Sequence, residues 1–240
     1  AIDVENDGDI DLIITANNAG EDYMYLELND GTGTFIHSSL DADLDCEADS
    51  LYTADVDGDG MQDVLCGGTG DTNYIYRNIE FGDFSEEEIS ADSNDTEVIL
   101  AADVDNDGDM DVIVGNDSGG NEQNYLYSVS AANSLSGTAL AAGEQVLAVF
   151  DSDNDGDSDL YVNNSGGVNE LWINDGSQSY TQSAVFGNVS DVSVGLVDYD
   201  NDGDLDVIEA VVGGQNTLYT NNGSNSFSTG SFGSGTLDTY

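Results

Sequence analysis

A nine-residue acidic motif occurs five times in the sequence and carries most of its potential chemistry. Each copy has carboxylates at its first, third, fifth and ninth positions and glycine at its sixth. Carboxylates at alternate positions of a tight loop can turn their oxygens toward one point, and glycine permits the sharp bend. The motif therefore predicts a cation-binding loop. Loops 1 to 5 occupy residues 3–11, 55–63, 103–111, 151–159 and 198–206.

Oxygen donors in this number favour Ca²⁺, because zinc and copper prefer His or Cys and Mg²⁺ demands a stricter octahedron. The seventh position can add its backbone carbonyl. We therefore predict five calcium sites. The predicted carboxylate ligands are Asp3, Glu5, Asp7 and Asp11; Asp55, Asp57, Asp59 and Asp63; Asp103, Asp105, Asp107 and Asp111; Asp151, Asp153, Asp155 and Asp159; and Asp198, Asp200, Asp202 and Asp206. The predicted carbonyl ligands are Asp9, Met61, Asp109, Asp157 and Asp204.

Two features qualify this prediction. Solvated Asp-Gly turns without metal are the alternative, but turn chemistry alone does not require four carboxylates in one register five times. Glu5 stands where the other four loops have Asp, and its extra methylene forces a bent rotamer or displaces a water. We expect the first site to be the weakest or the most distorted.

The loops recur every 47 to 52 residues, and each repeat carries four segments typical of strands. One precedes the loop, as in residues 97–102, and a second follows it, as in residues 112–114. A third has the pattern Asn-x-Leu-Tyr-x-Asn, and a fourth carries an aromatic residue. We expect one aromatic column to pack between repeats rather than to form a ligand platform. That column contains Tyr76, Tyr127, Trp172 and Tyr219.

Four antiparallel strands per repeat of about 48 residues predict an all-β, five-bladed β-propeller that forms a single domain over residues 1–240. Helical solenoids are excluded because no segment has a useful helical period. The first repeat lacks most of its first strand, and residues 237–240 resemble the missing piece. We expect these residues to close the ring within the chain, with strand exchange between neighbouring molecules as the alternative.

The loop, a following Gly-Gly turn and a tail of the form N-x-L-Y-x-N-D-G-x-G-x-F resemble FG-GAP/VCBS repeats, the calcium-binding blades of integrin-alpha-like propellers. The resemblance covers all five repeats. It implies that each loop joins the first two strands of a blade and that all the metals lie on one face. It implies adhesion, glycan binding or scaffolding more often than catalysis, although some members accompany or form polysaccharide-degrading enzymes. Integrin propellers have seven blades, whereas this chain has five repeats.

The charge excludes several classes of partner. The chain has 50 Asp and Glu and one Lys or Arg, Arg77, for a formal net charge of -49. It cannot hold nucleic acid by neutralising phosphates, and it cannot form a cationic membrane-surface helix. No apolar run approaches the roughly 18 residues of a membrane helix, so we expect no membrane insertion. Carboxylates at this density repel, which is a second reason to expect bound cations.

The sequence gives little support for catalysis, and we predict that the protein is not an enzyme. His37 is the single His, no Lys is present, and Arg77 alone cannot clamp a polyanion. Cys46 and Cys66 could form a disulfide, but an in-line strand would place Cys46 roughly 20 Å from the residue that pairs with Cys66. A buried free thiol at Cys66 is therefore the prediction, with a disulfide as the alternative.

These observations favour an extracellular or cell-surface protein that acts as a non-catalytic adhesion or structural module. The chain starts at Ala1 without Met or a signal peptide, which is typical of a processed secreted protein or an excised domain. We expect a protein or glycan surface as partner, or self-assembly into a filament or layer. A calcium-dependent lectin is the second hypothesis, and a polysaccharide lyase or hydrolase is the third.

Overall fold

In a computed structural model of this chain, every element of regular secondary structure among the described residues is a β-strand. The described residues are 1–18, 21–39, 46, 48–68, 72–80, 82–90, 94–116, 123–130, 134–142, 144–164, 168–187, 192–211 and 214–232. They contain nineteen strands in five antiparallel sheets. The all-β prediction is therefore confirmed for this part of the chain. Within it, no helix has the length and apolar character that crossing a membrane requires.

Each sheet is a meander in which strands that follow one another in the chain are neighbours. The first sheet contains β1 (Leu12–Asn18), β2 (Glu21–Asn29) and β3 (Phe35–Ser39). The second contains β4 (Ala48–Ala54), β5 (Asp63–Gly68), β6 (Asn73–Glu80) and β7 (Asp83–Ser90). The third contains β8 (Thr96–Ala102), β9 (Asp111–Asn116), β10 (Gln123–Val129) and β11 (Leu135–Ala142). The fourth contains β12 (Glu144–Phe150), β13 (Asp159–Asn164), β14 (Glu170–Asn174) and β15 (Tyr180–Val185). The fifth contains β16 (Val192–Val197), β17 (Asp206–Val211), β18 (Asn216–Asn221) and β19 (Phe227–Phe232).

In the second to fifth sheets, an acidic loop joins the first and second strands. In the second sheet, loop 2 leaves β4 at Ala54 and returns to β5 at Asp63, and these two residues pair across the strands. In the first repeat an isolated bridge joins Ile2 to Asp11 in the same register. The ninth loop residue therefore opens the second strand in repeats 2 to 5 and directly precedes β1 in repeat 1. Residues 237–240, which were expected to complete the first sheet, lie outside the described residues.

The chain divides into two compact units. The first unit contains the first two sheets and most of the third. Its two apolar clusters lie on opposite faces of β5: Val64 and Cys66 belong to one cluster, and Leu65 belongs to the other. Because both faces of β5 are covered, the strand is apolar without alternation and is buried along its whole length.

The second unit contains the fourth and fifth sheets, which pack through one apolar cluster that includes Leu171, Phe186 and Val207. A buried carboxylate also links these sheets. Glu209 on β17 is fully buried and accepts hydrogen bonds from the Tyr161 hydroxyl and from Asn169 Nδ2, the latter at 2.5 Å. Burial and this contact with Glu209 raise the pKa of Tyr161. The network satisfies a carboxylate inside the core, so the two sheets share a polar as well as an apolar contact.

The structure corrects the prediction for the cysteines. Cys46 and Cys66 form a disulfide, with their Cα atoms 6.4 Å apart, so the predicted free thiol at Cys66 is wrong. The prediction assumed that Cys46 continued β4 in line. Instead β4 begins at Ala48, and its pairing with β5 shifts register between Ala48 and Ser50. Cys46 therefore does not lie on the line of β4, and its sulfur is bonded to that of Cys66.

Three members of the predicted aromatic column are buried, which agrees with packing between repeats. Tyr76, Tyr127 and Tyr219 belong to the apolar clusters of their units. Trp172 differs, because it is only half-buried and its indole N–H donates to Glu170 Oε2 at 3.0 Å. Burial of the aromatic column is therefore confirmed at three of its four positions.

Candidate metal centres

The ninth residue of each loop is buried and braces the loop. In loop 2, Asp63 Oδ2 accepts the backbone N–H of Val56, and Asp63 Oδ1 accepts that of Asn78 at the end of the third strand, both at 2.9 Å. The same pair of bonds recurs at Asp11, Asp159 and Asp206. This carboxylate therefore ties the loop to the third strand of its own sheet before any metal is considered.

Burial makes the ninth carboxylate costly to ionise in the absence of a cation. It raises the pKa of Asp63 to about 6, against the opposing effect of the two backbone hydrogen bonds. Burial also raises the pKa of Asp159, against a hydrogen bond from the hydroxyl of Ser152. A nearby cation favours the ionised form, so metal and carboxylate would stabilise each other here.

The first residue of the loop holds the tight turn. Asp55 Oδ1 accepts the N–H of Asp59 at 3.1 Å, and Asp55 Oδ2 accepts that of Gly60 at 2.9 Å. The turn also needs left-handed backbone at the fourth and sixth positions. The sixth is glycine in every loop, and the fourth is Asn or Gly, with φ of 62° at Asn154 and 71° at Gly58. Asn and Gly tolerate this conformation best, which is a role of the fourth position that the sequence had not revealed.

Four loops bring three carboxylate oxygens within 4.8 Å of one another, one each from the first, third and ninth positions. The four groups are Asp55, Asp57 and Asp63; Asp103, Asp105 and Asp111; Asp151, Asp153 and Asp159; and Asp198, Asp200 and Asp206. Among the described residues, loop 1 with Glu5 does not form such a group. The expectation that the first site is the weakest stays a prediction.

The fifth position lies outside these groups, although the sequence placed it among the ligands. Its carboxylate instead accepts the N–H of the seventh residue, as Asp59 Oδ1 does from Met61 at 2.8 Å. The same bond forms within loops 1, 4 and 5, at Asp7, Asp155 and Asp202. In these loops the fifth carboxylate therefore shapes the turn, and in loops 2, 4 and 5 the other three carboxylates gather at the centre.

In loops 1, 4 and 5 the seventh side chain packs on a glycine of the Asn-x-Gly turn in the same repeat. A Cβ placed on Gly176 would lie 2.6 Å from Asp157 Oδ2, and one on Gly31 would lie 2.5 Å from Asp9 Oδ2. Asp204 and Gly223 repeat this arrangement. This close approach and the left-handed backbone, with φ of 75° at Gly31 and 74° at Gly176, both favour glycine in the turn. The contact links two parts of the repeat that the sequence shows only as separate motifs.

Two buried oxygens support a metal at these centres. Among the described atoms, Asp153 Oδ1 and Asp103 Oδ1 are buried and accept no hydrogen bond. A buried carboxylate oxygen without a partner is costly, and a hard cation would satisfy it. No His or Cys belongs to the four groups of described residues, so their donors are all oxygens. The residues fit Ca²⁺, with the first, third and ninth carboxylates as its holders.

Side chains from outside the loops also reach these centres. The guanidinium of Arg77 on β6 lies beside Asp57, with 3.7 Å from Nη1 to Oδ2, and its Nε donates to Glu87 at 2.8 Å. Arg77 is the one Lys or Arg in the chain. It therefore supplies a positive charge to loop 2 alone.

A recurring hydrogen bond joins loops 1, 3 and 4 to the next repeat, in each case within one unit. Asn78, at the end of the third strand of repeat 2, donates from Nδ2 to the carbonyl of Val4 in loop 1 at 2.9 Å. Asn221 donates in the same way to Ser152 in loop 4 at 2.7 Å. Asn174 does so to Val104 in loop 3. The last Asn of the Asn-x-Leu-Tyr-x-Asn pattern thus donates a hydrogen bond to a backbone carbonyl in the loop of the preceding repeat.

The comparisons with known proteins agree with this architecture. No curated protein matches the chain. The family model described as the FG-GAP-like repeat matches residues 3–66, 55–114 and 151–209, which together span more than half of the sequence. Each matched segment contains at least one of the loops described above. The chain therefore belongs to the FG-GAP-like repeat family.

Proposed function

We propose that the chain is a calcium-binding β-propeller that acts outside the cell as a non-catalytic adhesion or structural module. The observation that carries this proposal is the gathering of three carboxylate oxygens within 4.8 Å in four loops of one design. Without a cation, such oxygens repel one another and remain partly unsatisfied. Calcium binding would turn this repulsion into attraction and so contribute to the stability of every repeat.

The propeller is supported by the repeat pattern and by the family. The sheets are sequential antiparallel meanders, and neighbouring sheets within each unit pack face to face through apolar clusters. FG-GAP-like repeats match most of the chain. In the proposed arrangement each sheet is one blade, and the loops lie together on one face.

The extracellular location is supported by the disulfide between Cys46 and Cys66, because such bonds persist in oxidising compartments. Extracellular calcium-binding modules work with dissociation constants of about 10⁻⁴–10⁻³ M, so sites of modest affinity suffice there. The non-catalytic role rests on the side chains present. His37, the single His, is exposed and pairs with Glu27 at 2.8 Å, and the chain has no Lys.

The calcium hypothesis is tested by calorimetry of the whole chain after removal of metal. We expect calcium to raise the melting temperature steeply, since each site adds about 2.7 kcal/mol at one hundred times its dissociation constant. Magnesium at matched ionic strength is the control and should stabilise the protein much less. A melt that does not change between excess chelator and millimolar calcium would contradict the proposal.

The role of the module is tested by three measurements on calcium-loaded protein. Electron microscopy should show rings or an ordered assembly that a chelator disperses. Binding to a glycan array that a chelator abolishes would replace the structural role with that of a lectin. Turnover of any member of a polysaccharide panel would replace it with an enzyme.

A further inference from the structure

Two turns contain a side chain where other repeats have glycine. The turn between the third and fourth strands needs a left-handed residue four positions after its Asn. Repeats 1 and 2 use Gly33 and Gly82 there, with φ of 83° and 85°. Repeats 4 and 5 use Gln178 and Asn225, with φ of 59° and 56°. A side chain in this conformation is strained, most of all Gln, so its presence suggests a local function.

Both side chains reach the third-position carboxylate of the preceding loop. Gln178 Nε2 donates to Asp105 Oδ2 at 2.9 Å, and Asn225 Nδ2 donates to Asp153 Oδ2 at 2.7 Å. Asp105 and Asp153 belong to the carboxylate groups of loops 3 and 4. In loop 4 the other oxygen, Asp153 Oδ1, is buried without a hydrogen bond. The amide thus holds one oxygen of the carboxylate and leaves the other for a cation.

Asn225 has a second link to the same centre. Its Oδ1 lies 2.6 Å from Ser152 Oγ, which also contacts the ninth-position carboxylate, Asp159. Ser152 occupies a position that is Val or Tyr in the other loops. Asn225 therefore contacts one gathered carboxylate directly and a second through a hydroxyl.

In repeat 2, contacts with the preceding repeat disfavour an amide in this turn. A Cβ placed on Gly82 would lie 3.0 Å from Val4 Cγ1 and 3.2 Å from Leu26 Cδ2. The preceding repeat leaves no room there for a longer side chain. Crowding therefore accounts for glycine in the turn of repeat 2, whereas Gly33 in repeat 1 has open space around it.

We propose that Gln178 and Asn225 are positioning residues for calcium, and that each completes the site of the loop in the preceding repeat. Gln178 orients Asp105 in loop 3, and Asn225 orients Asp153 in loop 4. The inference rests on the calcium binding proposed above. Hydrogen-bond partners of metal ligands commonly contribute about 10- to 100-fold to affinity, because they fix the ligand in its binding rotamer.

The test is a calcium titration of the metal-free whole chain followed by amide NMR. The sixth-position glycines report on single loops, because Gly108 N–H donates to Asp103 at 3.1 Å and Gly156 N–H donates to Asp151 at 3.0 Å. Asn225→Gly should move the calcium midpoint at Gly156 about tenfold higher and leave Gly108 unchanged. Gln178→Gly should do the reverse, so each variant controls for the other.

Asn225→Ala separates the amide from the backbone strain. Glycine removes both, whereas alanine keeps the strained conformation and removes only the amide. If the amide positions the ligand, both variants weaken calcium binding at loop 4. In chelator, Asn225→Gly should unfold no earlier than the parent, which shows that its weaker binding is not a folding defect.

The outcomes distinguish this inference from the function on which it rests. A Gly156 midpoint that is the same in parent and variants would overturn the positioning role while calcium binding stands. Equal shifts at Gly108 and Gly156 in one variant would overturn it too, because the effect would then be global. If no loop glycine of the parent responds to calcium, the proposed function fails, and the inference fails with it.

Discussion

Loops 2 and 4 have the same backbone design but surround their third-position carboxylate differently. In loop 2, Asp57 lies beside the guanidinium of Arg77, at 3.7 Å from Nη1. In loop 4, Asp153 accepts a hydrogen bond from the neutral amide of Asn225 at 2.7 Å. The ninth carboxylate is bonded to two backbone N–H groups in both loops. The hydrogen bonds of the ninth carboxylate hold the loop in the same way in both cases. We therefore expect residues outside the loop to set its affinity for calcium.

We expect the two surroundings to act on a bound metal in opposite ways. The Arg77 side chain is 11% exposed, so its charge is poorly screened and would repel a cation at loop 2. An amide carries no net charge, so it can hold a carboxylate oxygen without opposing the metal. We therefore expect loop 4 to bind calcium more tightly than loop 2.

The largest effect should come from removal of the ninth carboxylate, because both loops depend on its two hydrogen bonds to backbone N–H groups. In saturating calcium, Asp63→Ala and Asp159→Ala should each lower the free energy of unfolding by about 4 kcal/mol, because each leaves two buried N–H groups without an acceptor and removes the calcium contribution of one site. Urea unfolding measures this loss. Met61→Ala is the control and should lower the free energy of unfolding much less. If only one of the two Asp→Ala variants were destabilised, the ninth carboxylate would not have the same role in both loops.

A smaller effect should sharpen the difference between the loops. Arg77→Leu should lower the calcium midpoint at loop 2 about fivefold, because it removes a positive charge next to the site. The amide of Gly60, which donates to Asp55 at 2.9 Å, reports on this loop. Gly156 in loop 4 should not respond. Glu87→Gln keeps the guanidinium and is the matched control, with no gain in affinity expected. A weaker loop 2 in Arg77→Leu would show that Arg77 supports the site.

The smallest effect is expected at the seventh position. Met61 stands where the other four loops have Asp. Its predicted contribution to the site is a backbone carbonyl. Met61→Asp should therefore change the calcium midpoint at Gly60 less than about twofold, since a carbonyl ligand does not depend on its side chain. A larger gain would mean that the seventh carboxylates help to bind the metal.

The sequence predicted what depends on local pattern. Loop positions one, three and nine follow from their spacing, and the pattern Asn-x-Leu-Tyr-x-Asn located β18 at Asn216–Asn221. The burial of Asp63 could also have been anticipated, because it opens an apolar strand. Local pattern fails where the chain leaves regular structure, and the disulfide of Cys46 was mispredicted for that reason.

Contacts between distant segments were not predictable from one repeat. The approach of Arg77 to Asp57 depends on which face of β6 meets the loop. The roles of Gln178 and Asn225 depend on the packing of one repeat on the loop of another. A signal for the last two was present, however, because both replace a glycine that repeats 1 and 2 retain at the same place in the turn.

The hydrogen bonds from Asn78 and Asn221 back to earlier loops have a consequence for synthesis on the ribosome. Asn78 lies 74 residues after the carbonyl that it holds in Val4, and Asn221 lies 69 residues after that in Ser152. At about 5–20 residues per second, a loop waits several seconds for the strand that secures it. During synthesis, each of these loops therefore lacks its hydrogen bond from the later Asn for a time, and the translation rate sets the length of that time.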